Sequence, residues 1–290
     1  MSRPIRPGKT ALRAILATTL GAAILAAACT ARAQSEDQKV QKILLLLRLD
    51  EYGRSLQSVN QMLAYTPHDC RLLSLRGMAL NGLGKPDEAL RSYQSALRYC
   101  PSQPLALQNA AQMEYARQRP DAVGYLNRLL KLNPKNQAAH AMLASIDRAN
   151  GKCVQALPHF HASSQLFSGQ PQYQQAYAFC LAKTGHNRQA AANYQQILSA
   201  DSDPDSDLAL RYNFALVQYR LHHLAAALAT LKPLLATSHN PSVQALGAQL
   251  KQQITSKAGA HPGTQKPAPH FALIDEKAHG TTNAKRAAKR

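Results

Sequence analysis

The fold is decided by residues 70–101, which read CRLLSLRGMALNGLGKPDEALRSYQSALRYCP. Leu73, Gly77 and Leu80 follow each other at intervals of three or four residues, which predicts one face of a helix. Gly84 then marks a turn, and Pro101 ends the segment, because both residue types interrupt helices. A second helix is predicted between them from small and bulky residues at similar intervals: Ala89, Tyr93 and Ala96.

The same segment recurs along the chain. Pro67, Pro101 and Pro134 lie 34 and 33 residues apart, and each closes a predicted helical segment. A period near 34 residues indicates stacked helical repeats. Ala and Leu are abundant and aromatic residues make up only 6 % of the chain, so we expect an all-α fold.

This pattern resembles the tetratricopeptide repeat family over residues 36–237. The resemblance implies a right-handed superhelical stack (an α-solenoid) of about six helical hairpins. Gly77 and Ala89 stand where the two helices of a hairpin would touch, and Tyr93 would fill the gap toward the next hairpin. In the sixth copy, His222 replaces the glycine of the turn. Residues 238–256 predict a capping helix with a polar outer face.

The N-terminus predicts export. Four basic residues and no acid precede an uncharged stretch over residues 14–28, and Ala31-Arg32-Ala33 is typical of a cleavage site. Residues 1–33 are therefore predicted to be a signal peptide, and the mature chain to be periplasmic. Two alternatives stay open: an uncleaved membrane anchor, and a lipoprotein attached to the membrane through Cys29.

The C-terminus predicts a disordered basic tail over residues 257–290, because Gly, Pro, His, Thr and Lys dominate it. A short apolar stretch, residues 271–274, interrupts this composition. It suggests a docking segment, although most isolated stretches of this kind have no such role. Contact of the tail with a membrane surface or cell-wall polymer is a further possibility.

The net charge of +18 does not indicate a nucleic-acid protein. Five basic residues belong to the predicted signal and seven to the tail. The remaining Lys and Arg are scattered and do not alternate with aromatic residues. We therefore expect no nucleic-acid partner.

Four cysteines remain after the predicted cleavage, and an even number in an exported chain suggests disulfides. Four cysteines allow three pairings. The frame of the resembled repeats selects Cys70 with Cys100 and Cys153 with Cys180. The alternative is that these residues are buried free thiols.

No catalytic or metal-binding set is found, so we expect a protein that is not an enzyme and that needs no cofactor. His159 and His161 flank Phe160 on one predicted helix and point to different sides. From Asp201 to Asp207 every second residue is an aspartate, as in the first half of a calcium-binding loop. The glycine and the glutamate that such a loop also needs are absent.

The resemblance implies binding of protein partners, as extended peptides or helices, in a groove lined by the first helices of the hairpins. The predicted groove residues are Arg71, Ser74, Met78, Asn81, Gln108, Ser145, Arg148, Gln175, Phe179, Tyr212 and Tyr219. We expect a scaffold or adaptor of the bacterial cell envelope. The alternative is a non-catalytic subunit of envelope polysaccharide or peptidoglycan assembly.

Overall fold

The computed structural model describes residues 36–167, 169–200, 208–258 and 271–275. These residues form thirteen α-helices and include no strand. The helices are α1 (36–48), α2 (Tyr52–Leu63), α3 (Cys70–Gly82), α4 (Pro86–Tyr99), α5 (Pro104–Ala116), α6 (Asp121–Leu132), α7 (Gln137–Ala149), α8 (Cys153–Phe167), α9 (Pro171–Lys183), α10 (Asn187–Ala200), α11 (Leu208–Arg220), α12 (Leu224–Thr237) and α13 (Pro241–Ala258).

The helices divide between two compact units, with α1 to α6 before the boundary at residues 132 and 133 and α7 to α13 after it. In the first unit, α1 to α6 pack as three successive hairpins. In the second, α7 to α12 form three more, and α13 packs on α12 and α11. The prediction of an all-α stack of six hairpins with a capping helix is confirmed, and the capping helix extends two residues beyond its predicted end.

Each hairpin turns through one residue in the left-handed backbone region. These residues are Asp50, Gly84, Gln118, Gly151, Gly185 and His222, at intervals of 34, 34, 33, 34 and 37 residues. At every turn, the amide after this residue donates to a carbonyl five positions back, as Lys85 does to Leu80 at 2.9 Å. This is the Schellman arrangement, which satisfies carbonyls at the end of a helix. His222 therefore occupies the turn position that glycine holds in three of the other hairpins.

Close contact within the hairpins depends on small residues. A Cβ atom added to Gly77 of α3 would lie 2.5 Å from Cε1 of Tyr93 in α4. Ala89 and Tyr93 are buried beside it. A larger residue at position 77 would push the two axes apart, so Gly77 has the packing role that the sequence predicts.

The apolar run at the start of the stack is covered. Ile43 and Leu47 of α1 are buried with Val59 of α2 and with Leu72 and Leu75 of α3. The first hairpin therefore shares a buried apolar core with the second hairpin.

Two disulfides link helix ends. Cys70 at the start of α3 is joined to Cys100 just after α4, with Cα atoms 6.0 Å apart. Cys153 at the start of α8 is joined to Cys180 in α9, with Cα atoms 4.9 Å apart. The first bond closes a single hairpin, whereas the second connects two successive hairpins of the second unit.

We predict that Gly84→Ala lowers the free energy of unfolding by about 1 kcal/mol, because a side chain disfavours the left-handed conformation. Gly124 is the matched control, since it lies inside α6 with open space around the position of a Cβ. Gly124→Ala should raise stability by about 0.5 kcal/mol, because glycine weakens helix interiors. Urea unfolding followed by circular dichroism measures both; a loss of stability in both variants would contradict the assignment.

We also predict that reducing the two disulfides lowers the free energy of unfolding by about 3 kcal/mol for each bond, because each closes a loop of roughly thirty residues. Thermal melts of the oxidised protein with and without a reductant measure the change. The double variant Cys70→Ser/Cys100→Ser should retain a reductant-sensitive transition from the second bond. A melt that the reductant leaves unchanged would contradict the pairing.

Candidate peptide-binding face

Residues 271–275, with the sequence Phe-Ala-Leu-Ile-Asp, form neither helix nor strand and pack against helices of the second unit. They contact the side of that unit formed by α7, α9, α11 and α13, which lie next to one another in this order. We call this side the odd-helix face. For these five residues, the prediction of a disordered tail is wrong: the apolar stretch has a packed position.

The backbone of the segment is held by two side chains of α11. The amide of Asn213 donates to the carbonyl of Ile274 at 2.8 Å and accepts from its N–H at 2.9 Å. Arg220 donates to the carbonyl of Phe271 at 3.3 Å and to the carbonyl of Ala182 in α9 at 3.0 Å. Asn213 thus satisfies both polar backbone groups of one residue, as a neighbouring strand would.

The side chains of the segment occupy distinct places. The ring of Phe271 stands edge-on to Tyr219, with ring centroids 5.9 Å apart. Leu273 packs against three buried clusters of the second unit, and Ile274 packs against the cluster between α11, α12 and α13. Ala272, in contrast, is exposed. The segment therefore makes apolar contacts at its first, third and fourth positions.

The fifth position carries a charge pair. Oδ1 of Asp275 lies 2.9 Å from Nη2 of Arg148 at the end of α7. The side chain of Arg148 is only 9 % exposed, and its guanidinium also lies 5.2 Å from the centre of the Phe179 ring. Nζ of Lys183 is 5.9 Å from the same ring. A carboxylate is the natural partner for a guanidinium held in this way.

Two of the predicted groove residues contact the segment directly, namely Arg148 and Tyr219. The ring of Phe179 lies next to the guanidinium of Arg148. The side chains of Phe179 and Gln175 are both buried. Ser145 donates to the carbonyl of Ala141 within its own helix. The set of predicted groove residues therefore includes several that lie on the helices of the odd-helix face.

Two of the predicted contacts are wrong. Ser74 is fully buried and donates to the carbonyl of Cys70 at 2.6 Å, within its own helix. Tyr212 is fully buried in the cluster between α11, α12 and α13, and this burial raises its pKa. Neither side chain is available to a partner, because each lies on the side of its helix that packs inward.

The other predicted groove residues belong to the first unit. Arg71 is exposed and pairs with Asp37, with Nη1 and Oδ1 3.5 Å apart. Asn81 and Gln108 are exposed, and Met78 packs half-buried against the core of α1 to α3. For these positions a role in binding stays a prediction.

The sequence did not point to Asn213, Arg220 or Lys183. A single Asn in a helix carries no pattern, and its role depends on which chain segment lies opposite. The stretch Phe271–Asp275 did carry a signal, since it is the only place between residues 257 and 290 where apolar residues cluster.

A histidine pair joins α7 to α8. Nδ1 of His140 lies 2.8 Å from Nδ1 of His159, and Nε2 of His140 lies 3.0 Å from the carbonyl of Pro134. Two such nitrogens share one proton, so one ring accepts while the other donates. Burial, together with the nearby His140, lowers the pKa of His159, and Asp147 opposes this shift.

In the described part of the chain, no group of three or more His, Cys, Asp or Glu side chains is placed to hold a metal ion. None of the helices seen there is long and apolar enough to cross a membrane. The predicted signal with Cys29 and the acidic stretch Asp201–Asp207 lie outside the described residues.

We predict that the second unit loses stability as the pH falls below about 6.5. The lowered pKa of His159 means that the folded chain binds fewer protons than the unfolded chain between the two pKa values, so protons favour unfolding there. Melts at pH 7.5 and pH 5.0 measure the effect. His159→Gln should reduce the difference, whereas His161→Gln, at an exposed position of the same helix, should leave it unchanged. An equal effect of both variants would contradict the role of the pair.

Comparisons with known proteins agree with this architecture. The model of the tetratricopeptide repeat family matches residues 40–104 and 75–122. No curated protein matches the sequence at a significant level.

Three solved structures illustrate the likeness of fold. YrrB, a tetratricopeptide repeat protein with an unusual peptide-binding site, is 17 % identical with a TM-score of 0.54, over 67 % of this chain and 97 % of YrrB. The pilF protein of Pseudomonas aeruginosa is 16 % identical with a TM-score of 0.50, over 77 % of this chain and 99 % of its own. The Naa15/Naa10 complex bound to HypK-THB is 17 % identical with a TM-score of 0.52, over 78 % of this chain and 35 % of the matched one.

Identities at this level indicate a shared fold only. The family match covers most of the described residues of the first unit, and the second unit is built of helical hairpins of the same kind. Residues 40–122 of this chain therefore match the model of the tetratricopeptide repeat family, and the helical hairpins of both units have the fold of its members.

Proposed function

We propose that this chain is a non-enzymatic scaffold of the bacterial cell envelope that binds extended segments of partner proteins on its odd-helix face. Repeat proteins of this fold are generally protein-interaction scaffolds. The observation that carries the proposal is the pair of hydrogen bonds between the amide of Asn213 and the backbone of Ile274.

Asn213 is suited to hold a peptide rather than to stabilise the fold. Its side chain is only 2 % exposed, and both of its hydrogen bonds in the described residues go to a segment outside the helical stack. A buried amide without partners costs about 1–3 kcal/mol. The face therefore favours a bound backbone, whatever chain supplies it.

Recognition through the backbone suits extended peptides, because every residue except proline offers the same N–H and carbonyl. YrrB, which shares the fold, has a peptide-binding site, and this agrees with the proposal. Side-chain contacts would then select among peptides.

Placement in the envelope rests on the N-terminal sequence and the cysteines. Residues 1–33 have the order of a secretory signal, and disulfides persist in oxidising compartments such as the periplasm. Attachment through a lipidated Cys29 would place the same scaffold on a membrane. The basic residues near the C-terminus would add contact with anionic lipid or cell-wall polymer.

A role in polysaccharide or peptidoglycan assembly is the weaker proposal. It relies on exposed tyrosines that would meet sugar rings. Tyr212 is buried, and Tyr219 already contacts Phe271 and accepts a hydrogen bond from Gln253.

To test the scaffold proposal, the full chain is expressed in a Gram-negative host, crosslinked in the cells and recovered from cell fractions. We expect an N-terminus at Gln34, or a lipidated Cys29, and a reproducible crosslink to an envelope protein. The double variant Arg148→Ala/Asn213→Ala should reduce this crosslink at least tenfold, because it removes the charge pair and the backbone contacts.

Asn109→Ala is the matched control. The amide of Asn109 donates only to the carbonyl of Leu105 within α5, so the crosslink should persist. A chain with intact Met1 in the cytoplasm would overturn the envelope location. A crosslink that survives in the double variant would show that the partner binds elsewhere.

A further inference from the structure

We propose that the odd-helix face recognises a linear motif in partner proteins, with an aromatic residue at position 1, aliphatic residues at positions 3 and 4 and an acidic residue at position 5. We further infer that residues 271–275 are an internal copy of this motif that competes with the partner. The inference rests on the proposed function, because it names the partner of the same face and the regulation of its binding.

The apolar positions of the motif follow from the contacts of the internal copy. The residue at position 1 contacts the ring of Tyr219 edge-on. An aromatic side chain there gains binding free energy from the contact between the rings, in addition to that from its buried apolar area. Position 3 is set by Leu273, which reaches the three buried clusters at once. Position 2 is exposed and carries no requirement.

Position 4 combines two roles. Its backbone forms both hydrogen bonds with Asn213, so proline is excluded there. Its side chain packs against the cluster between α11, α12 and α13, which favours an aliphatic residue.

The acid at position 5 follows from the charges of the face. Arg148, Lys183 and Arg220 lie along it, and Asp275 pairs with Arg148. The guanidinium of Arg148 is nearly buried beside Phe179, where a charge without a partner is costly. A basic residue at position 5 would therefore oppose binding.

Competition follows from the attachment of the internal copy. Twelve residues join Ala258, the end of α13, to Phe271. Segments on short tethers reach effective concentrations on the order of 1 mM. If a free peptide binds with a Kd on the order of 0.1 mM, this competitor weakens its apparent affinity about tenfold.

The test uses a fluorescent peptide with the sequence of residues 269–277, PHFALIDEK, added to the full chain. Fluorescence anisotropy measures its binding to the wild type and to Leu273→Ser and Asp275→Lys, two variants that weaken the internal copy. Each variant should bind the peptide about tenfold more tightly than the wild type does. Asp275 is 43 % exposed, so its substitution tests the same claim without removing a core residue.

Specificity is tested in the same assay. Adding Asn213→Ala to Asp275→Lys should abolish binding, whereas adding Asn109→Ala should not. A peptide with Lys in place of its Asp should bind at least tenfold more weakly. Circular dichroism confirms that each variant retains the helical fold.

Three results would overturn the inference. Equal affinity of the peptide for wild type and both variants would show that the internal copy does not compete. Binding that persists with Asn213→Ala would place the peptide elsewhere. A dimer of the wild type that both tail variants dissociate, seen by light scattering, would show that the segment binds a second copy of the chain instead.

These outcomes are distinct from failure of the proposed function. A peptide that binds through Asn213 without any envelope crosslink in cells would retain the motif and reject the scaffold role. An Asn213-dependent crosslink without peptide binding would do the reverse.

Discussion

The structure depends on the fact that a two-helix hairpin cannot bury its apolar surface alone. Within each unit, a hairpin packs against the hairpins next to it in the chain, and the helices approach closely only because small residues lie between them. Gly77 shows the constraint directly, since a Cβ atom at that position would overlap the ring of Tyr93. The core is therefore a series of local clusters along each unit.

The turns convert this local packing into a regular stack. A left-handed residue ends the first helix of every hairpin, and the hydrogen bonds around it are the same from Asp50 to His222. Because the turn is repeated, the first helices of successive hairpins lie side by side in the second unit. This places Arg148, Phe179 and Asn213, which are far apart in sequence, on one face.

Residues 271–275 supply hydrogen-bond and charge partners for the polar side chains of this face. The side chains of α7, α9 and α11 provide a buried amide, a guanidinium and apolar surface, but these polar groups need partners. Residues 271–275 supply a backbone N–H, carbonyls and a carboxylate within reach of these groups. The face therefore presents groups that complement the backbone and the acidic side chain of the chain's own segment.

Three features of the sequence predicted the six stacked hairpins, the capping helix and the turn at His222. They are the repeat period, the small residues at hairpin contacts and the prolines at helix ends. They were sufficient because the structure they describe depends on neighbours within one or two repeats. The inward burial of Ser74 and Tyr212 could not be read in this way, since a shift of one position around a helix moves a side chain from surface to core. Arg148 and Tyr219, which the same periodicity assigned to the groove, contact residues 271–275, and their role in binding a partner stays a prediction.

Sequence by itself thus determined the helical hairpins, their order and the family resemblance. Only the tertiary structure decided that Asn213 and Arg220 hold the backbone of residues 271–275, across separations of 61 and 51 residues. The physical reason is that hairpin packing is local and periodic, whereas the place of a five-residue segment depends on a surface assembled from four helices.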